Sequence, residues 1–359
     1  MEQKPVAIDL FAGCGGMGLG MKNAGFDVAY ANELLEDPST TYRENLSGTV
    51  VETADIRKIK PEHVSRMIKK SRVDVIAAGL PCQGFSMLGL RDDNDERNGY
   101  FKQVWRFVEF FQPKFVVIEN VVGILSMKNG KVIRSIRNGF ERRGYNVNIR
   151  KLVASDFGVP QRRARVFIIC SKKKVAEEKL FPTSKRHKEV SISNAISDLA
   201  FLGVGSSSGT YERKPRTKFQ RAIRRKSRVL HNHESANHSK RIQRRFSLVP
   251  TGEHGRKSAN YDSSKRDCFK MDGRKPCRTI STLPEDLVHY SRDRIPTVRE
   301  LARLQSFPDW FVFHGPRTTG GPRRRHECPQ YTQVGNAVPP MLAEAVFRKI
   351  RKQMKPRQR

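Results

Sequence analysis

Acidic side chains are scarce in this 359-residue sequence, which has 36 Asp and Glu against 69 Lys and Arg and a formal net charge of +33. An excess of this size predicts a polyanionic partner held through phosphate contacts, and it argues against an ordinary metabolic enzyme. The six cysteines include no Cys-x-x-Cys pair. We therefore expect free thiols and no zinc or other metal site.

Long apolar runs and a signal peptide are also missing. No stretch approaches the length that crosses a membrane, and the start MEQKPVAIDLFAG leads directly into a strand pattern. Together with the unpaired cysteines, these absences predict a cytoplasmic protein with no membrane partner. Hydrophobic residues still make up 37% of the chain, so a substantial core can form.

The first half of the chain alternates between two kinds of pattern. Short apolar runs predict buried strands at 6–11, 27–32, 73–78, 114–120 and 165–170. Helical patterns separate them at 18–24, 38–45, 61–70, 100–111 and 131–143, the last with an apolar face of Val132, Ile136 and Phe140. This alternation predicts an α/β fold with a doubly wound, mostly parallel sheet.

After about residue 175 the alternation weakens, although helices are still predicted near 297–311 and 339–354. Residues 203–210, GVGSSSGT, have the composition of a linker. Residues 211–278 hold 21 Lys and Arg against 6 Asp and Glu, a net charge of +15. We expect a first domain of 1–175, completed by 326–359, and a smaller, irregular domain of 176–325 with a positive surface.

The first predicted strand runs into a glycine-rich turn, DLFAGCGGMGLG, which contains Gly13-x-Gly15-x-x-Gly18. Such a turn brings backbone N–H groups close to a ligand, and it suits a nicotinamide dinucleotide, a flavin or S-adenosylmethionine. Glu33, at the end of the next strand, would suit a ribose hydroxyl, and Asp55 could accept from an adenine amino group. Either acid could equally be a solvated loop or helix-end charge.

Three further stretches place reactive groups at predicted strand ends. Cys82 follows an apolar run in GLPCQGFS, Glu119 ends a strand in IENV, and QRRAR carries Arg163 and Arg165. A period of two predicts that both arginines lie on one side of a strand. A thiol, an acid and guanidinium groups at one sheet edge suit an electron-poor heterocycle, whereas a core thiol and solvated arginines are the plainer interpretation.

Taken together, these stretches resemble the DNA (cytosine-5) methyltransferases. The resemblance spans nearly the whole chain, is weakest over 171–290, and rests on stretches in the family's order: DLFAGCGGMGLG, NE (32–33), DI (55–56), GLPCQGFS, IENV, QRRAR, RELARLQSFPD (299–309) and QVGNAVPP (333–340). It implies an S-adenosylmethionine-dependent enzyme that flips a cytosine out of double-stranded DNA, and 176–325 as its target-recognition domain. It also implies that the protein is a monomer in the prokaryotic cytoplasm. The enzyme would act either beside a partner restriction endonuclease or as a solitary methylase.

The resemblance also implies roles for individual residues. Cys82 corresponds to the nucleophile that attacks cytosine C6, and Glu119 to the group that binds N3 and the exocyclic amine. Arg165 corresponds to the arginine at the base carbonyl, and Arg163 to the one that supports the active-site loop. The implied S-adenosylmethionine site consists of Phe11, Gly13, Gly15, Gly16, Glu33, Asp55, Ile56, Pro81 and Asn336.

Some features depart from the family pattern or favour rivals. Leu34–Asp37 differ from the bulky residue and Asp that often follow at this place, which concerns the floor of the adenine site. Asn98 replaces a usual glycine, and neither departure touches the reacting groups. The histidines of 231–239, HNHESANHS, suggest a metal or nuclease site, but an acid at suitable spacing is missing. An RNA cytosine methylase would favour a Cys-Phe-Thr signature, of which 268–270, CFK, is a partial match. A non-catalytic DNA-binding protein and a dinucleotide oxidoreductase are the rivals from other classes.

Overall fold

The computed structural model describes residues 3–70, 72–81, 99–184, 189–225, 227–258, 267–319, 323 and 326–354. Its strands are β1 (Val6–Leu10), β2 (Asp27–Glu33), β3 (Val50–Thr53), β4 (Val75–Gly79), β5 (Phe115–Val121), β6 (Asn146–Val153), β7 (Gln161–Arg162), β8 (Ala164–Ser171), β9 (Phe269–Lys270), β10 (Cys277–Arg278) and β11 (Leu287–Val288).

The α-helices fall between and after these strands. They are α1 (Gly16–Asn23), α2 (Glu36–Asn45), α3 (Pro61–Ile68), α4 (Gly99–Phe111), α5 (Lys131–Glu141), α6 (Glu177–Leu180), α7 (Ile192–Ile196), α8 (Lys218–Arg224), α9 (Lys240–Ser247), α10 (Val298–Leu304), α11 (Gln330–Asn336) and α12 (Pro340–Lys352). Among the described residues, no helix is long and apolar enough to cross a membrane.

Two compact units share the chain. The first contains Met1–Val153, Ala164–Lys185 and Pro340–Arg359, and the second contains Ala154–Arg163 and Arg186–Pro339. These limits differ from the predicted 175 and 326. The chain leaves the first unit after β6, because β7 pairs with β10, and α11 belongs to the second unit.

The first unit is built on a seven-stranded sheet in the order β3-β2-β1-β4-β5-β8-β6. Neighbours from β3 to β5 are parallel, and β8 alone runs antiparallel to both of its neighbours. The predicted α/β fold with a mostly parallel, doubly wound sheet is thus confirmed. The order reverses between β1 and β4, and ligands bind outside the carboxyl ends of strands at such a reversal.

Apolar residues explain why these elements form and pack. Every residue of β1 is buried, as expected for a central strand covered by helices on both faces. On α5 the apolar face of Val132, Ile136 and Phe140 is buried as predicted. The last helix, α12, packs on α1, where a Cβ on Gly20 would lie 2.4 Å from the Cβ of Ala343.

The second unit has little regular structure. Its strands form two-residue parallel pairs, β7 with β10 and β9 with β11. Buried ion pairs supplement its apolar core: Arg303 binds both oxygens of Asp309, at 2.8 and 2.7 Å, and also Asp198. Arg294 binds both oxygens of Glu300, and Glu300 completes the capping box of α10 with Thr297. Breaking such a buried pair is costly, because one charge is left without compensation.

Candidate functional site

The glycine turn after β1 requires glycine at two positions. Gly13 and Gly15 have φ values of +54° and +95°, which residues other than glycine rarely adopt. A Cβ on Gly15 would lie 2.8 Å from the Tyr42 ring, and Gly16 then begins α1. Phe11, before the turn, is also left-handed, with φ 55°, and its ring stands edge-on to Tyr100 at 5.5 Å. The N–H groups of Gly13 and Gly15 donate to Oε2 of Glu33 and to the Ala12 carbonyl, so hydrogen bonds hold the turn in this shape.

Glu33, at the end of β2, connects the neighbouring strand to the glycine turn. Its Oε2 accepts a hydrogen bond from the Gly13 N–H at 2.9 Å, and its Oε1 accepts one from the Leu35 N–H at 3.1 Å. Burial raises the pKa of Glu33, while these backbone hydrogen bonds oppose the shift. A carboxylate oxygen has two lone pairs, so each oxygen can accept a second hydrogen bond from a ligand.

Asp55 and Ile56 lie at the end of the segment after β3. Both oxygens of Asp55 bind Arg57, whose Nη2 lies 2.6 Å from Oδ2, and this hydrogen bonding lowers the pKa of Asp55. Ile56 is buried and starts a short 3-10 helix. An adenine amino group would therefore share the Asp55 carboxylate with Arg57.

Glu119 and Arg165 form a buried ion pair at the carboxyl end of β5. Because β8 is antiparallel to β5, its first residues lie beside the end of β5, and Arg165 pairs with Val121. Nε of Arg165 lies 2.9 Å from Oε1 of Glu119, and Glu119 is only 8% exposed. The Arg165 Nη1 donates to the Ala164 carbonyl. The two residues thus form one fixed group of donors and acceptors.

Asn120 joins the end of β5 to the segment that precedes Cys82. Its Nδ2 donates to the Leu80 carbonyl at 3.2 Å, and its Oδ1 accepts from the Val121 N–H. Gly79 lies opposite Glu119 in the parallel pairing of β4 with β5. Pro81 follows and is exposed, whereas Cys82 and the departure noted at Asn98 lie outside the described residues. Sequence analysis did not identify Asn120.

Two predicted residues belong to the second unit. Arg163 is 2% exposed and donates from Nη1 to the Ile280 carbonyl and from Nη2 to the Gly335 carbonyl. Asn336 is exposed and ends α11. The prediction that Arg163 and Arg165 lie on one side of a continuous strand is wrong. The segment breaks at Arg163, because β7 pairs with β10 while β8 joins the large sheet.

The glycine turn and the acids at strand ends agree with the sequence pattern, whereas the ion pair of Glu119 with Arg165 was not predicted. Comparison with known proteins identifies the family. The family of C-5 cytosine-specific DNA methylases matches residues 6–352. The chain belongs to this family. Its reaction is therefore the methylation of cytosine at C5 in DNA, and S-adenosylmethionine is the methyl donor of such enzymes.

Individual relatives agree with the family match. The methylase is 40% identical to the type II methyltransferase M.DdeI of Desulfomicrobium norvegicum, over 96% of this chain and 88% of that protein. It is 35% identical to M1.HphI of Haemophilus parahaemolyticus, over 96% and 86% of the two chains. A solved structure described as a DNA modification methyltransferase from an E. coli prophage is similar, with a TM-score of 0.78, 27% identity, and 97% and 98% coverage.

Buried glutamines connect three motifs of the methylase inside its second unit. Gln161 of QRRAR donates to Oε1 of Gln305 at 2.8 Å and accepts from the Ile280 N–H. Gln305 donates in turn to the Val334 carbonyl of QVGNAVPP. Together with the two bonds of Arg163, this network fixes these motifs to one another. All three motifs belong to the family pattern, and this was the one signal in the sequence that pointed to these glutamines. The apolar periodicity of the sequence did not indicate that the motifs contact one another.

The histidines of residues 231–239 have structural roles in the methylase. Nδ1 of His233 lies 2.9 Å from the Thr297 hydroxyl, and Nε2 lies 3.1 Å from the Leu199 carbonyl. Burial lowers the pKa of His233 to about 4, so its ring is neutral at physiological pH. No group of His, Cys, Asp and Glu within the described ranges could hold a metal ion. His233 therefore supports the start of α10.

Proposed function

We propose that the methylase acts on double-stranded DNA, and that Cys82, Glu119 and Arg165 act on the target cytosine. The observation that carries this assignment is the buried Glu119–Arg165 pair at the end of the sheet where β4 leads toward Cys82. A cytosine inside a duplex cannot reach such a pair, so the base must leave the stack, at a cost of a few kcal/mol.

The chemistry follows from the electron-poor cytosine ring. The Cys82 thiolate adds to C6 and forms a C–S bond, which makes C5 nucleophilic. Glu119 in its protonated form donates to N3 and accepts from the exocyclic amine, and this stabilises the ring as charge moves onto it. Arg165 binds the base carbonyl through Nη2, which makes no hydrogen bond to another described residue. With S-adenosylmethionine bound, C5 would take its methyl group and the sulfonium would leave as a neutral thioether. Loss of the C5 proton to a base would then expel the thiolate and restore the aromatic ring.

The first unit suits S-adenosylmethionine, which supplies an electrophilic methyl group on a sulfonium. Glu33 would accept from the ribose hydroxyls, since its two oxygens hold four lone pairs and the backbone N–H groups of Gly13, Leu34 and Leu35 occupy three of them. Asp55 and Ile56 would bind the adenine. Arg57 donates to both oxygens of Asp55, so one of these hydrogen bonds would have to break to free an oxygen for the adenine amino group. The remaining assigned contacts are Phe11, Gly13, Gly15, Gly16, Pro81 and Asn336. Arg163 would act indirectly, by holding the Ile280 and Gly335 carbonyls.

A 5-fluorocytosine duplex tests the nucleophile. Fluorine replaces the C5 proton that must leave, so after methyl transfer the enzyme should stay bonded to the DNA. We expect a denaturant-resistant complex in the presence of S-adenosylmethionine, and peptide mass mapping should place the bond on Cys82. Cys82→Ala should form none, whereas Cys170→Ala, which alters a buried thiol of β8, should still form it. An adduct on another residue contradicts the assignment.

We also propose that the methylase is a cytoplasmic monomer that modifies DNA as part of a restriction–modification system or alone. The type II names of the relatives and the net charge of +33 support DNA as the substrate. Labelled methyl groups should enter duplex DNA and not tRNA, which separates this function from RNA methylation. Light scattering should give the mass of one chain, and transfer to tRNA alone would contradict the proposal.

A further inference from the structure

A cavity of about 440 Å³ lies in the second unit, outside the residues assigned to catalysis or to the cofactor. Its lining includes Arg162, Phe269, Asp272, Lys275, Arg278 and Thr279. Arg162 is bound to Glu189 by two hydrogen bonds, at 3.1 and 2.7 Å. Arg278 lies opposite Arg162 in the pairing of β10 with β7. Its guanidinium contacts an aromatic ring and a histidine instead of a carboxylate.

Arg278 is exposed, yet neighbouring side chains fix the orientation of its guanidinium. Its Cζ lies 4.8 Å from the centre of the Phe269 ring, and its Nη1 donates to Nε2 of His254 at 2.9 Å. Nδ1 of His254 lies 3.0 Å from Oδ2 of Asp267. Because an arginine N–H can only donate, the contact with Arg278 requires the tautomer with the proton on Nδ1. Nε2 is then an acceptor. The ring of His254 also stands edge-on to Phe269, at 5.2 Å.

This arrangement leaves one side of the guanidinium for a ligand. Within the part of the chain that the structure describes, neither Nε nor Nη2 of Arg278 makes a hydrogen bond. These two N–H groups form a planar fork that matches two acceptors side by side, as on the major-groove edge of guanine, where O6 and N7 lie together. A phosphate would require only charge, which the exposed Arg274 and Lys275 already supply on the same surface.

We propose that Arg278 is a specificity-determining residue that binds O6 and N7 of a guanine in the recognised DNA sequence. His254 and Asp267 are positioning residues, which hold the guanidinium over the Phe269 ring and leave its Nε and Nη2 for the ligand. The proposal rests on the proposed function, since it requires a DNA duplex as the substrate. Its consequence is that one guanine of the recognition sequence depends on one side chain.

The experiment uses the full chain and begins by mapping methylated cytosines in the DNA of a methylase-free host. This gives the recognised sequence of the wild type. Duplexes are then prepared in which 7-deazaguanine, which lacks the N7 acceptor, replaces one guanine at a time. We expect one replacement to weaken wild-type binding by roughly 5- to 150-fold, the range for losing a paired base contact.

The variants assign that loss to a side chain. Arg278→Ala should bind the normal and the 7-deazaguanine duplex equally, because it has no donor for N7. Arg278→Lys should keep only part of the difference, because lysine keeps the charge but not the planar fork. His254→Ala should reduce the 7-deazaguanine effect without abolishing it. Arg274→Ala is the matched control: its side chain is 86% exposed, and its loss should weaken binding to all duplexes alike while the wild-type penalty remains.

The outcomes separate the proposal from the function on which it rests. If the wild type transfers methyl groups to DNA but the 7-deazaguanine penalty persists in full in Arg278→Ala and Arg278→Lys, the proposal is overturned and the function stands. If no single 7-deazaguanine replacement weakens binding by the wild type, the proposal is overturned as well. If the wild type methylates no DNA, both fail. Thermal unfolding of each variant verifies the fold, and a purely structural role would change stability without removing the penalty.

Discussion

Replacing Glu33 by alanine should weaken the binding of S-adenosylmethionine by roughly 10- to 150-fold. A hydrogen bond to a charged group contributes about 1.5–3 kcal/mol, which corresponds to that range of affinity. Glu33 is suited to such a bond, because the N–H groups of Gly13 and Leu35 already hold its carboxylate in place. The same substitution removes the acceptor of Gly13, so the glycine turn also loses a constraint. Cofactor-free binding of DNA should stay nearly unchanged.

Calorimetric titration of the protein with S-adenosylmethionine measures this effect. Glu141→Ala is the matched control, because Glu141 is 48% exposed on its side chain and lies in α5, where it forms an ion pair with Arg137. Exposed ion pairs contribute about 0.2–1 kcal/mol to stability, so this control should keep its cofactor affinity. Thermal unfolding shows whether each variant is folded. A folded Glu33→Ala protein with wild-type cofactor affinity would refute the ribose assignment.

Further measurements test the basic segment, a close contact and a buried acid. Raising the salt from about 50 to 200 mM should weaken DNA binding roughly 10³-fold if residues 211–278 make six phosphate contacts, and a flat response would contradict that role. Gly335→Ala should lower the free energy of unfolding by about 1–3 kcal/mol, because the new Cβ would lie 2.3 Å from the Ser281 carbonyl oxygen; Gly209→Ala, with open space around it, should not. Burial raises the pKa of Asp9 well above its usual value, so the folded state holds a proton that the unfolded state releases. Stability should therefore fall as the pH rises above about 4, the usual pKa of an aspartate, and it should fall by more than in Asp9→Asn. Equal pH dependences of the unfolding free energy in denaturant titrations would refute this.

The central strands were predictable because burial on both faces demands continuous apolar runs. β1, β2, β4, β5 and β8 coincide with the predicted runs, and each predicted helix of the first half is present. The strand prediction missed β3 and β6, which lie at the two edges of the sheet. An edge strand tolerates polar residues, and β6 carries Arg150 and Lys151 within its eight residues. Apolar periodicity therefore gives no clear signal for it.

The candidate site was predictable to the extent that its residues are local to strand ends. Glu33 and Glu119 follow apolar runs, and their places at the sheet edge follow from strand direction. The partners of the buried charges were not predictable. Arg163 and Arg303 look like surface residues in the sequence, yet both are buried because carbonyl and carboxylate groups distant in the chain bind their guanidinium groups. Periodicity contains no information about such pairs.

The packing of α12 on α1 has a consequence for biosynthesis. α1 ends at Asn23, and the helix that covers it begins only at Pro340. At about 5–20 residues per second, a ribosome needs roughly 15–60 s to synthesise the chain between them. Throughout that interval the surface of α1 around Gly20, which fits α12, has no covering helix. Chains released before Pro340 would keep this surface exposed. Products of premature termination should therefore aggregate or be degraded by proteases more readily than the full chain.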